Sequence, residues 1–97
     1  MVINSNKNGE VLTLNVEGRL DTTTAPELEA ALADLGGVKD LTLDFAKLDY
    51  ISSAGLRVLL ATQKVMNSQG RMVIKNVNDT IMEVFEITGF AGLLNFV

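Results

Sequence analysis

The sequence predicts a single α/β domain over residues 1–97: a mixed β-sheet with an N-terminal antiparallel hairpin and α-helices packed against it. Three observations lead there. Apolar residues alternate with period two in Leu12-Thr13-Leu14-Asn15-Val16 and again in Leu41-Thr42-Leu43-Asp44-Phe45, the pattern of strands with one buried face. Between and after these runs, apolar residues recur at helical spacing in stretches that end at glycine. A chain of 97 residues with 47% hydrophobic content supports one core and is too short for two.

Taken in order, Asn8-Gly9 is a hairpin signal, because both residue types tolerate positive φ. Val2 to about Asn6 should therefore pair antiparallel with Leu12–Val16. Thr24-Ala25-Pro26-Glu27 reads as a capping box with proline in the first turn. The helix it opens carries Leu28, Ala31, Leu32 and Leu35 on one stripe and stops at Gly36-Gly37. The strand Leu41–Phe45 follows, and a strand-helix-strand crossover implies parallel pairing.

From Ala54 to about Ser68 the pattern is helical again. Arg57, Ala61, Lys64 and Ser68 form a narrow outer stripe, whereas Leu56, Val58, Leu59, Leu60, Val65 and Met66 mark this as the most buried helix, with Gly70 as its stop. Arg71 to Val77 reads as a further strand. Asn78 caps a last helix that carries Ile81, Val84, Phe85 and Thr88 and ends at Gly89. Leu93–Val97 fits a short helix or a strand equally well.

Composition removes several function classes. With Lys and Arg totalling 8, scattered singly, and a net charge of −4, no basic patch exists for a phosphate backbone, so no nucleic-acid partner is expected. Cysteine and histidine are both absent; thiolate metal sites, disulfides and Ser-His-Asp catalysis are therefore excluded, and neither metal nor cofactor is expected. No apolar run approaches the ~20 residues that span a bilayer, so no membrane insertion is expected. Met1–Ser5 lacks the basic and apolar regions of a signal peptide, and a cytoplasmic location is expected. Asp44 and Asp49 have no histidine or cysteine companion and read as solvated carboxylates. A small hydrolase ranks last, since nothing is present to activate a nucleophile.

The chemistry concentrates in Asp49-Tyr50-Ile51-Ser52-Ser53-Ala54-Gly55-Leu56. This turn leads into the buried helix and puts two hydroxyls where the first backbone N–H groups lack helical partners. On physical grounds alone, Ser52 or Ser53 is a helix cap. A phosphate on either would add about −1.5 to −2 charges at the positive end of the helix dipole, a position that tolerates it.

The run Leu48 to Leu60 resembles the central motif of bacterial anti-sigma-factor antagonists, the STAS-type regulatory domains. Gly18-Arg19-Leu20-Asp21 is similar to that family's turn before its first helix, and Val84-Phe85-Glu86-Ile87-Thr88-Gly89-Phe90 is similar to its C-terminal segment. Together the three motifs cover the chain nearly end to end and imply a STAS-like domain. The resemblance implies that Ser53 is the serine phosphorylated by an anti-sigma factor that is also a serine protein kinase. It implies a partner-binding surface of Asp21, Thr22, Ser52, Ser53, Ala54, Gly55 and Arg57. Family members commonly carry Asp-Ser-(Ser/Thr)-Gly where this chain has Ser52-Ser53-Ala54-Gly55, so Ser52 competes as acceptor. The expected function is that of an anti-sigma-factor antagonist, not an enzyme: unmodified, it binds the anti-sigma factor and releases a sigma factor, and phosphorylation switches it off. The alternative is a constitutive, non-phosphorylated STAS-like module of a transporter or signalling assembly, in which the serines are caps only.

Overall fold

A hairpin opens the fold. In the computed structural model, which describes residues 1–97, strands β1 (Val2–Asn8) and β2 (Val11–Leu20) pair antiparallel from Val2 opposite Glu17 to Asn8 opposite Val11. The two-residue turn is Gly9-Glu10, one position later than Asn8-Gly9. Only Gly9 has positive φ, at 63°, so glycine occupies the first central position of the turn, as in a II′ hairpin.

Strand β3 (Asp40–Asp44) adds parallel to β2, and β5 (Arg71–Lys75) adds parallel to β3. A strand not anticipated from the sequence, β4 (Leu48–Ile51), pairs parallel with the last residues of β2, Gly18–Leu20, across a register shift between Gly18 and Arg19. Its centre, Asp49-Tyr50, is exposed on both residues while Leu48 and Ile51 are buried, so it shows no alternation to read. Leu12, Leu14, Val16, Leu41, Leu43, Met72 and Ile74 face the helices, and they anchor a cluster of 23 buried apolar residues. The intervening Thr13, Thr42, Asp44, Val73 and Lys75 are half-buried on the opposite, more polar face.

Helix α1 (Ala25–Ala31) is shorter than its apolar stripe suggests. Leu28, Leu32 and Leu35 are buried, but Ala31 is exposed and Leu35 lies past the helix end. There the Asp34 carboxylate accepts the Gly36 N–H at 3.1 Å, a local side-chain bond that competes with another helical turn. The capping box does not form. Thr24 stands at the N-cap without bonding the first turn; its hydroxyl instead donates to the Arg19 carbonyl at 2.7 Å and accepts the Asp21 N–H at 2.9 Å.

Helix α2 (Ser53–Asn67) exposes Arg57, Ala61 and Lys64 as expected, with Ser68 at its C-cap. Val65 is 46% exposed rather than buried, because it sits at the rim of the α1–α2 groove, and Leu60 is half-buried. Two polar residues lie in the packing instead. Thr62 donates back to the Val58 carbonyl at 2.8 Å, and Gln63 bonds Asn67 at 2.8 Å.

Strand β5 stops at Lys75, where Asn76 turns the chain with φ 59° and donates its side-chain amide to Asp44. Asp44 is thus less solvated than expected. Burial pushes its carboxyl up, but the Asn76 amide, the Ala46 N–H and Lys75 outweigh this and leave it below the usual carboxylate range. Asn78 caps α3 (Asp79–Thr88) through Ile81 N–H at 2.9 Å, and its amide donates to the Leu48 carbonyl at 3.0 Å. One side chain therefore both starts α3 and ties it to β4. Ile81 and Phe85 are buried, Val84 is half-buried and Thr88 is exposed. After a short 3-10 turn (Phe90–Gly92), Leu93–Val97 forms neither a full strand nor a helix: Phe96 makes a single parallel bridge to Ile74. No helix is long and apolar enough to cross a membrane.

Candidate functional site

Parallel pairing of β2 with β4 builds the site. Leu20 lies in register with Ile51, and the Ser52 N–H donates to the Leu20 carbonyl at 2.9 Å. The loop beginning at Asp21 and the turn beginning at Ser52 therefore leave the sheet side by side, at the carboxyl ends of neighbouring strands. Motifs separated by some thirty positions in sequence become one surface.

Within it the two serines differ. Ser52 occupies the N-cap of α2 with extended backbone (φ −103°, ψ 175°), yet its hydroxyl caps nothing; Oγ is enclosed and has no hydrogen-bond partner. Ser53, the first helical residue, is exposed. The capping role that physics alone assigns to either serine is filled by neither.

Asp21 is pinned by its own loop. Its Oδ1 accepts the Thr23 N–H at 3.0 Å and the Thr24 N–H at 3.1 Å, an Asx-type turn that holds the entry to α1. The Thr24 N–H holds the carboxyl below the usual carboxylate range; partial burial pushes the other way, and the Thr23 N–H, the Thr24 hydroxyl and the Arg19 guanidinium add to the lowering. Asp21 is thus a fixed anion at neutral pH, with its side chain 30% exposed. Its other oxygen, Oδ2, lies 3.7 Å from Arg19 Nε. The Arg19 guanidinium in turn stands 4.1 Å over the ring of Tyr50, a cation–π arrangement. Arg19 and Tyr50 escaped the sequence reading, although both lie in quoted motifs, because only the β2–β4 register shows that they face each other.

Thr22, Ala54 and Arg57 line a shallow groove between α1 and α2, together with Pro26, Glu29 and Ala61. Of the residues expected on the partner surface, Thr22, Ser53 and Arg57 are exposed, and Asp21, Ser52 and Ala54 are half-buried. Gly55 is not on that surface. It is buried, and a Cβ there would come within 2.6 Å of Leu20 Cγ and 3.0 Å of Ile51 Cγ1. Its missing side chain lets α2 approach the ends of β2 and β4, so it sets the spacing of the site from beneath. Leu20 and Ile51 are themselves 0% and 4% exposed and have little room to yield. Gly55→Ala should therefore destabilise the fold by about 1 to 2 kcal/mol, overpacking outweighing the roughly 1 kcal/mol gained in helix propensity. A thermal melt checks this, and an unchanged or raised midpoint would show that the two side chains relax freely.

No group of three or more acidic, histidine or cysteine side chains is placed to hold a metal ion. The features that reach solvent are the exposed Ser53 hydroxyl, the half-buried fixed carboxylate of Asp21 and the guanidinium groups of Arg19 and Arg57, a set suited to recognition and to modification.

Comparison with known proteins agrees with this picture. A family model described as "Mlab, STAS domain" matches residues 3–95. The Bordetella bronchiseptica protein named "Putative anti-sigma factor antagonist BtrV" is 38% identical over 96 residues, covering 96% of this chain and 83% of its own. The anti-sigma-B factor antagonist of Staphylococcus aureus is 34% identical over 85 residues, covering 84% of this chain and 79% of its own. Among solved structures, the Bacillus anti-sigma factor antagonist SpoIIAA superposes with TM-scores of 0.78 in its unphosphorylated form and 0.77 in its phosphorylated form. Those two structures cover 99% of this chain and 87% and 91% of theirs, at 18% and 19% identity, a likeness of fold. The chain belongs to the STAS domain family, alongside relatives named as anti-sigma factor antagonists.

Proposed function

We propose that this chain is an anti-sigma factor antagonist working by partner switching. Unmodified, it binds an anti-sigma factor through the face carrying Asp21, Thr22, Ser53, Ala54 and Arg57, and a sigma factor is released. The partner is also a serine kinase. It transfers the γ-phosphoryl group of its bound ATP to Ser53 Oγ: the bond from phosphorus to the ADP oxygen breaks, the bond to Oγ forms, and the hydroxyl proton leaves to a base on the partner. The chain is the substrate of that step and supplies no catalytic group. In this reading it works in the cytoplasm, where ATP and sigma factors are found.

The observation that carries the choice of acceptor is the contrast between the serines: Ser53 is exposed, whereas Ser52 Oγ is enclosed. A hydroxyl out of reach of solvent is out of reach of a kinase. A dianion on Ser53 would stand beside the fixed carboxylate of Asp21 and add bulk and repulsion to the contact face, while the buried side of α2 keeps its packing. The phosphorylated and unphosphorylated SpoIIAA structures, nearly equal in their likeness to this chain, are in keeping with a switch that leaves the fold in place.

Incubation with the cognate anti-sigma factor and ATP, followed by mass-spectrometric mapping, should find phosphate on Ser53, including in Ser52→Ala protein. Phosphate on Ser52 alone, or on neither, would overturn the assignment. Phosphorylated protein should stay folded by circular dichroism and bind the partner about 100-fold more weakly, roughly 2.7 kcal/mol. Equal binding by the two forms would instead identify a constitutive STAS module.

A further inference from the structure

We infer that a phosphate on Ser53 is held within the chain by Arg57, so that one modification both adds a dianion to the partner face and withdraws a cation from it. The inference rests on the reading of Ser53 as the acceptor and adds to it a regulatory role for Arg57.

The geometry is helical. Ser53 and Arg57 are both exposed on α2 and stand four residues apart, where side chains on a helix surface are neighbours, with Cβ atoms about 5 to 6 Å apart. Helical side chains lean toward the N-terminus and cover the turn before their own Cα. A long side chain at position 57 therefore sweeps back over residue 53. An anion placed four residues before a cation is also the favourable order for such a pair. The guanidinium offers a planar fork of donors matched to two phosphate oxygens, which an ammonium does not.

Competition for the phosphate favours Arg57. The ion pairs of the molecule are Arg19–Asp21, Lys47–Glu17, Arg71–Asp40 and Lys75–Asp44. Arg57 takes part in none. Glu29, from α1, lines the same groove without pairing with it. Of the other charges near the turn, Asp21 and Asp49 are repulsive toward a phosphate. Arg19 is already committed, held between the Tyr50 ring at 4.1 Å and Asp21 at 3.7 Å. Moving it to the phosphate would leave Asp21 facing a new dianion without its counter-charge. Arg57 gives up only water.

For the partner, the consequence is a more negative local charge at two points. An acidic partner group that meets Arg57 in the unmodified complex would face a pair of net charge about −0.5 to −1, and any group opposite Ser53 would face the phosphate.

The test uses the full chain with phosphoserine incorporated at position 53 during synthesis, so that no kinase is needed. Phosphorus NMR titration should give a second phosphate pKa about 0.15 to 0.4 units lower in the parent than in Arg57→Gln. The difference should shrink in high salt. Arg57→Lys should recover part of it, and Arg19→Gln, which only strips Asp21 of its counter-charge, should move the parent value less than Arg57→Gln does. Identical titration of the parent and Arg57→Gln, or a larger shift in Arg19→Gln than in Arg57→Gln, overturns the inference. Because the phosphate is installed independently of any partner, such a result leaves the assignment of Ser53 standing. Conversely, a failure of kinase transfer to Ser53 rejects that assignment and leaves the ion-pair measurement intact.

Discussion

Gly70→Ala is expected to destabilise the protein by about 3 kcal/mol or more, a fall of roughly 12 to 24 °C in midpoint for a domain of this size. The position looks permissive, since it is an exposed residue just after α2. Yet a Cβ there would lie 2.0 Å from the Lys39 carbonyl oxygen, 2.7 Å from its carbon and 2.8 Å from Lys39 Cα. All three are backbone atoms, so no rotamer change relieves the overlap. Lys39 is also held from both sides: its N–H donates to Glu10 at 2.8 Å and its carbonyl accepts the Arg71 N–H at 2.8 Å. Admitting one methyl group therefore means separating the chain entering β3 from the chain entering β5. Gly92→Ala is the control, because nothing lies within 4 Å of its added Cβ. A Gly70→Ala melt within a few degrees of the parent would show that this approach is not held as tightly as drawn.

Phe85→Ala should cost about 3 to 5 kcal/mol, read from urea unfolding as a lower transition midpoint with an unchanged slope. Phe85 is 0% exposed, and its ring packs at 5.2 Å and 51° against Phe96, a tilted pair worth something beyond its buried area. Removing it opens a cavity under α3 and also releases the residue that bridges to Ile74. Ile87→Ala, two positions on but 78% exposed, should stay within about 0.5 kcal/mol of the parent. Equal effects of the two substitutions would mean that the C-terminal segment contributes little to the core. The segment around Phe85, one of the three family-like motifs, thus reads as packing, whereas the other two meet at the site.

The strands and helices with long periodic signals were legible in the sequence, and so was the mixed sheet. What escaped it was decided by contacts between distant residues. The strand Leu48–Ile51 forms because its neighbour is the end of β2, and a four-residue run with Asp49 and Tyr50 both outward carries no alternation. The Thr24 capping box failed because Asp21 captured the N–H groups of Thr23 and Thr24, drawing the threonine hydroxyl back to Arg19. At the site, the two motifs were legible and their adjacency was not, nor was the inequality of Ser52 and Ser53. Both depend on how far α2 sinks onto Leu20 and Ile51, which Gly55 determines.

Strand β2 divides its labour. Val11–Glu17 pairs with β1, and Val11–Asn15 also pairs with β3, whereas Gly18–Leu20 pairs with β4 beyond the register shift. Asp21 follows that last short stretch, and Ser53 follows β4, which is paired to it. A lineage could redecorate β1, or the polar side of the sheet, and leave the geometry of the switch where it was. Variation that tunes solubility, edge protection or contact with a second protein is thereby uncoupled from variation that tunes recognition, and one strand lets the two evolve at separate rates.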